Sequence, residues 1–307
     1  MKLATVRYRD SVYSGVVKDG NFYRFSGIHS SLPEEMIDFI QGYDRYKEVV
    51  QEHIDQAKAT CKTEEAAFLS PLQRPRTFRD FMSFEEHVVN SGKALKYDEA
   101  TMERMLAVWR KLPAFYFSNT NVFFGPDEPI RMHPTSQRFD IEFEIAVIIG
   151  KEGENIDRED ASDYIFGMTI LNDWSARDIQ AEEMQMQLGP AKGKDYANSM
   201  GPVIVTMDEL SQYAVDGDPQ RFDMATRLYR NGSLLRENNT KSIYHTYNEL
   251  IEYSSRGTKV YPGDVLGSGT IGGGALLEYL GGQPFIGRGD EIVMEVEGIG
   301  SMTMNVI

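Results

Sequence analysis

The chain has 307 residues, 41% of them hydrophobic and 26% charged, enough for about two ordinary globular units. Lys and Arg number 32 against 47 Asp and Glu, a net charge of −15, which argues against a surface built for nucleic-acid phosphates or for anionic lipid. One cysteine, Cys61, forms no internal disulfide, Met1–Arg7 lacks a signal-like apolar run, and no stretch of ~18 apolar residues occurs, so a cytoplasmic protein with no membrane and no nucleic-acid partner is expected.

Residues 1–25 alternate as strands do, and Lys18-Asp19-Gly20-Asn21 sets an Asp-Gly hairpin turn between Ser14–Val17 and Phe22–Phe25. From Pro33 to Lys58, Met36, Ile37, Ile40, Tyr43, Tyr46, Val49, Val50 and Ile54 recur near a 3.6 period and predict helix. Two prolines in Leu69-Ser70-Pro71-Leu72-Gln73-Arg74-Pro75-Arg76 then interrupt any element. They divide a small N-terminal domain, 1–72, from a larger one, 73–307; a surface loop within one domain is the alternative. The larger part shows helical patterns near 83–96, 99–111, 175–188 and 244–254, and glycine-rich strands toward its end. Its strands are not spaced by regular helices, so an α+β fold with a mixed sheet is expected rather than a doubly wound one.

The stretch Arg138-Phe139-Asp140-Ile141-Glu142-Phe143-Glu144-Ile145-Ala146-Val147-Ile148-Ile149-Gly150 predicts one strand. Period two puts Asp140, Glu142 and Glu144 on one face, neighbours being roughly 7 Å apart. An acidic face in water is the plain explanation of such a pattern. Ala146–Ile149, however, is apolar on both faces, so the carboxylates stand at the edge of a core and need a partner. Hard oxygen ligands suit Mg²⁺, Mn²⁺ or Ca²⁺. A second strand, Tyr164–Leu171, ends in Asn172-Asp173-Trp174, and Ser175-Ala176-Arg177-Asp178 has the pattern of a capping box opening a helix. Arg177 and Gln180 share one face of that helix.

Together these segments resemble the fumarylacetoacetate hydrolase family. The resemblance rests on Asp140-x-Glu142-x-Glu144, Asn172–Gln180, Leu188-Gly189-Pro190-Ala191-Lys192-Gly193-Lys194 and Gly263–Ile271, in the family's order, with Val296–Gly300 near the end. It covers about residues 75–307 and implies a mixed β-roll or β-sandwich catalytic domain behind a small α+β domain. It further implies that Glu142, Glu144 and Asp173, with Asp80 from Asp80-Phe81, hold Mg²⁺, with Ca²⁺ or Mn²⁺ as alternatives. His87, seven residues after Asp80, pairs by the same resemblance with Glu278 to activate water, and Lys194 holds developing negative charge. Arg177, Gln180, Tyr116 and Thr270 align with positions that bind substrate oxygens.

The implied activity is metal-dependent hydrolysis of a C–C bond in a 1,3-diketo acid of the fumarylacetoacetate or acylpyruvate type, by a homodimer. Oxaloacetate decarboxylation, hydration or isomerisation of a 2-oxo acid is the alternative, and a non-catalytic 2-oxo-acid or cation binder a third. Met82 and Met184 stand where the family enzyme carries tyrosines for a distal carboxylate, and methionine is a poor hydrogen-bond partner there. His29, His53, His133 and His245 carry no such support and are expected to be structural. Gly267–Gly272 matches G-x-G-x-x-G too close to the C-terminus for a dinucleotide fold, and Gly189–Asp195 has the wrong spacing for a P-loop, so neither nucleotide is expected. The acidic run Lys151–Asp160 reads as a solvated loop.

Overall fold

The computed structural model describes residues 1–307. The hairpin forms where Asp-Gly stands: Ser11–Lys18 and Asn21–Arg24 pair antiparallel, with Asp19 and Gly20 at φ 49° and 72°. The helical pattern after Pro33 yields two helices, Met36–Gln41 and Tyr43–His53, parted at Gly42. Helices Glu85–Ala94, Glu99–Trp109, Arg177–Glu183 and Tyr247–Ser255 follow at the four expected places.

These helices surround a twelve-stranded sheet. Its order is Cys61–Lys62, Asn21–Arg24, Ser11–Lys18, Lys2–Tyr8, Asn198–Thr206, Ile165–Asp173, Phe143–Ile149, Val265–Gly267, Phe78–Phe81, Phe115–Phe117, with Ala67–Leu69 and Phe123–Phe124 paired off this path. Two of the pairings are parallel, Val265–Gly267 with Phe78–Phe81 and Asn198–Thr206 with Phe123–Phe124, so the sheet is mixed and the fold is α+β. Lys2–Tyr8 bonds to Asn198–Thr206, so segments on both sides of position 72 lie in one sheet. A four-stranded sheet, Ser233–Asn239, Ala225–Arg230, Glu291–Val296 and Gly300–Asn305, shares the larger core with it.

Phe143–Ile149 is buried along its whole length. Ile145 and Val147 pack into the core with Leu228, Ile292 and Met294, while Ala146 and Ile148 pack into a second core with Phe25, Phe39 and Ile40 of the N-terminal segment. Each large apolar side chain so buried stabilises by ~1.5–3 kcal/mol, and anchorage on both faces fixes where the strand's acidic end points.

Three local expectations are corrected. The single strand from Arg138 to Gly150 is two pieces, because Phe139–Asp140 pairs with Ser175–Ala176 and the long strand starts only at Phe143. Side chains break the ladder there: Ile141 N–H donates to Asp140 Oδ1 and Glu142 N–H to Asn172 Oδ1, each at 2.8 Å. The next strand ends at Asp173, within the expected Asn172-Asp173-Trp174, but starts at Ile165, because Tyr164 closes the short turn before it. No capping box opens the following helix. Ser175 Oγ turns back to the Asp173 carbonyl (3.2 Å), and Asp178 accepts from Ser136 Oγ (2.6 Å) and Gln137 N–H (2.7 Å) instead.

Candidate active site

Strand order brings the carboxylates together. Val265–Gly267 lies between Phe143–Ile149 and Phe78–Phe81, with Gly267 in register with Ala146 on one side and Asp80 on the other. Asp80 thus stands two strands across from Ala146, and Glu144, two residues along from Ala146 on the same face, reaches with it over the residue between. That residue has no side chain. A Cβ at Gly267 would stand 2.3 Å from Asp80 Oδ1 and 2.9 Å from Glu144 Oε2. Glu142 completes the group, and ligand atoms of Asp80, Glu142 and Glu144 all lie within 4.8 Å of one another, buried. Gly269 N–H donates to Glu144 Oε2 at 2.9 Å, so the G-x-G run wraps a carboxylate of this chain rather than a phosphate.

Asp173, the fourth expected ligand, stands beside that trio at its strand end, engaged by two other groups. Lys194 Nζ lies 2.6 Å from Asp173 Oδ2 and also pairs with Glu142 Oε2. The Tyr116 hydroxyl, expected at substrate oxygens, contacts Asp80 Oδ2 (2.9 Å) and Asp173 Oδ2. Lys194 is held by the loop before it, where the amides of Ala191, Lys192 and Gly193 donate to the Glu183 carboxylate at 2.7, 2.7 and 3.0 Å. The P-loop-like run does gather amide donors, but Glu183 fills them. Arg177 Nε donates to Asp140 Oδ2 (2.8 Å) and Nη1 to Gln180 Oε1 (3.0 Å). Its Nη2 is 2.8 Å from Glu142 Oε1, an ion pair outside hydrogen-bond geometry.

His87 and Glu278, 191 residues apart in sequence, meet with Nδ1 2.8 Å from Oε1, both buried. Glu278 Oε1 also accepts from Ala275 N–H (3.2 Å), and Oε2 from Gly273 N–H (2.8 Å) and Asn90 Nδ2 (3.1 Å). Sequence reasoning missed Asn90, although its place three residues after His87 puts both on one helical face. Thr270 is buried in the loop directly after Gly269. His245 is buried with Nε2 2.7 Å from the Trp109 carbonyl, and the His29 and His53 rings lie 4.6 Å apart, tilted by 42°, in the N-terminal segment.

Electrostatics marks this cluster. Burial pushes the Asp80 carboxyl up, and burial together with neighbouring carboxylates pushes Glu144 and Asp173 well above the usual carboxylate range. Burial acts on Glu142 too, but Lys194 and Arg177, with a contribution from His87, outweigh it and hold Glu142 far below that range. Burial opposes the Lys194 charge, yet Asp173 and Glu142 prevail and its pKa is raised. Tyr116 is pushed well above the usual phenol value by burial and by Asp173. For Glu278 burial raises and His87 lowers, and the net direction is down.

The donor set fits a divalent cation. Five carboxylates, Asp80, Asp140, Glu142, Glu144 and Asp173, face two cations, Lys194 and Arg177, leaving three negative charges without a counter-charge when all are ionised. Asp80 Oδ1 and Glu144 Oε1 are buried without a hydrogen-bond partner, an arrangement a hard cation resolves. Gly267→Ala is expected to weaken Mg²⁺ binding at least ~10-fold in calorimetry while the far-ultraviolet circular dichroism stays native. Unchanged affinity would show that Asp80 and Glu144 do not share one ion. A cleft of about 720 Å³ among Tyr13, Arg24, Glu34 and Arg74 shares no lining residue with this cluster, so an open cavity does not by itself mark the site.

A sequence profile described as fumarylacetoacetate (FAA) hydrolase C-terminal matches residues 76–307. The chain belongs to the fumarylacetoacetate hydrolase family. Among curated members it is 29% identical over 290 residues to the Bos taurus protein named oxaloacetate tautomerase FAHD2B, mitochondrial, covering 94% of this chain and 84% of that one. Identity to the Homo sapiens protein named oxaloacetate tautomerase FAHD2A, mitochondrial, is 28% over the same shares. The fold matches that of fumarylacetoacetate hydrolase from Exiguobacterium antarcticum, at 26% identity and TM-score 0.75 over 100% of this chain and 99% of that one. It also matches maleylpyruvate hydrolase from Sphingobium sp. SYK-6 in complex with manganese (II) ion and pyruvate, at 20% identity, TM-score 0.75 and the same coverage.

In this member of the fumarylacetoacetate hydrolase family, Met82 and Met184 are 36% and 45% exposed. Met82 lies two residues past Asp80, and Met184 directly follows the Arg177–Glu183 helix. No helix of the chain is long and apolar enough to cross a membrane.

Proposed function

We propose that the chain is a divalent-cation-dependent enzyme that enolises a short 2-oxo acid of the oxaloacetate class. The observation that carries this reading is a buried His–Glu pair and a buried lysine in a cluster of five buried carboxylates and two cations, an excess of three negative charges when all are ionised. The curated relatives named oxaloacetate tautomerase support it. The fold neighbour described with manganese and pyruvate supports a cation and a 2-oxo acid in such a site.

Asp80, Glu142 and Glu144, with Asp173 beside them, would hold Mg²⁺, Mn²⁺ or Ca²⁺. Such an ion supplies Lewis-acid polarisation of a keto oxygen when bound. The chain's own groups do the rest. Glu278, accepting at both oxygens, fixes the imidazole with Nδ1–H toward it, so that Nε2, whose protein contact is the Ser91 hydroxyl at 3.4 Å, is the nitrogen that accepts a proton. In enolisation that proton comes from the carbon next to the keto group. The Lys194 ammonium, its charge secured by Asp173 and Glu142, balances negative charge growing on the keto oxygen. Gln180, held by Arg177 Nη1, would bind substrate oxygens together with Arg177, Tyr116 and Thr270, as the family resemblance implies.

Hydrolytic C–C cleavage of an acylpyruvate is the second reading. It uses the same groups with His87 taking its proton from water, and the fold neighbours described as hydrolases favour it. A panel tests the choice: the rate of oxaloacetate keto–enol exchange, pyruvate release from oxaloacetate, and loss of acylpyruvate absorbance, each with Mg²⁺. Exchange accelerated without pyruvate release supports the first reading. Acylpyruvate turnover without exchange selects hydrolysis. Tight binding with every ligand unaltered leaves a non-catalytic 2-oxo-acid binder. The family resemblance also implies a homodimer, which light scattering checks. Its single, buried cysteine fits a reducing compartment, cytoplasmic or the mitochondrial one of the vertebrate relatives' names.

A further inference from the structure

We propose that Asp140 is a positioning residue that sets the His87–Glu278 pair from outside the carboxylate trio. The inference rests on the roles assigned above to His87 and Glu278. The alternating pattern groups Asp140 with Glu142 and Glu144, but it is fully buried and both its oxygens are taken by other donors. Oδ1 accepts from Ile141 N–H and Leu276 N–H, each at 2.8 Å, and Oδ2 from Arg177 Nε at 2.8 Å and Leu277 N–H at 3.1 Å.

Leu276 and Leu277 open the short turn Leu276–Tyr279 that carries Glu278. The first amides of such a turn have no partner within it, and the preceding residue, Ala275, has no side-chain acceptor to offer. Asp140 supplies the cap from 136 residues away. Its own place is fixed by the Phe139–Asp140 pairing with Ser175–Ala176 and by the Arg177 charge. One buried carboxylate thus ties the turn bearing Glu278 to the helix bearing Arg177 and Gln180, and Glu278 hands that placement to the imidazole. A cap serving stability alone would need no such link between the two halves of the site.

Asp140→Asn keeps the size but turns an NH₂ toward N–H donors on one side, releasing either the turn or Arg177. The expected result is a kcat ~10–100-fold lower, with KM and Mg²⁺ affinity within about 3-fold of wild type. In a Glu278→Gln background the same change is expected to cost less than about 3-fold more, because its target is already lost. A second readout needs no substrate. In protein labelled with ¹⁵N-histidine, the His87 ring resonances, assigned by their loss in His87→Ala, shift or broaden in Asp140→Asn while those of the other four histidines stay in place. Failure of the substrate panel would leave this spectroscopic result standing, so the two ideas fail separately. If Asp140→Asn does not fold, Asp140→Glu, which keeps the charge and moves it by one methylene, carries the same test. Unmoved His87 resonances, costs that multiply in the double variant, or Mg²⁺ affinity lost as fully as in Glu142→Ala would each overturn the proposal.

Discussion

His87→Ala is expected to lower kcat by ~10²–10⁴-fold while divalent-cation affinity stays within about 3-fold of wild type. The split follows from where the side chain sits. His87 is outside the Asp80–Glu142–Glu144 group, so the ligand atoms keep their partners when it is removed. Glu278 is not stranded either, because the amides of Ala275 and Gly273 and the Asn90 side chain still donate to it. The loss is therefore confined to a proton acceptor held in a fixed orientation, which is what general-base catalysis is worth. Steady-state kinetics and calorimetry with Mg²⁺ on the same preparation check it. Equal turnover of wild type and variant would remove the His–Glu pair from the mechanism.

Lys194→Met has a different signature. The ammonium separates two buried carboxylates, Asp173 and Glu142, and its removal leaves both without their nearest counter-charge. Breaking a buried ion pair from one side costs ~3–5 kcal/mol of stability. Loss of a group that balances charge in the transition state costs ~10²–10³ in kcat. The expected melting temperature in chelator is well below that of wild type, and added Mg²⁺ is expected to recover more of the difference than it adds to wild type. Thermal denaturation of both proteins with chelator and with Mg²⁺, beside kcat, measures this. A variant as stable and as active as wild type under both conditions would show that Lys194 carries neither charge balance nor catalysis.

What the sequence revealed depended on the range of the signal. Alternation over the five residues Asp140–Glu144 singled out Glu142 and Glu144, and turn chemistry set the Asp19-Gly20 hairpin, because both are local. Asp80 and His87 carry no periodic pattern and emerged only through resemblance to a family. Glu278 lies 191 residues from His87, so no window along the chain joins them. Gly267 stood out as part of a glycine motif, but its use, leaving room for two carboxylates from the strands on either side, depends on strand order. Asp140 was grouped with the wrong neighbours for the same reason: the amides of Leu276 and Leu277 that consume its oxygens are tertiary partners. The place of Lys2–Tyr8 in the large sheet is equally non-local, resting on its bonds to Asn198–Thr206.

The central claim, a cation site that presents a 2-oxo acid to His87 and Lys194, is tested most directly by calorimetry of Mg²⁺ and of oxalate, a planar mimic of a 2-oxo-acid enolate. Wild type and Glu142→Ala are titrated with each alone and with both together. The account predicts that wild type binds Mg²⁺, that oxalate binds only when Mg²⁺ is present, and that Glu142→Ala loses both. Oxalate binding by wild type without Mg²⁺, or wild type binding neither ligand, would contradict it and leave the carboxylate cluster as part of the fold alone.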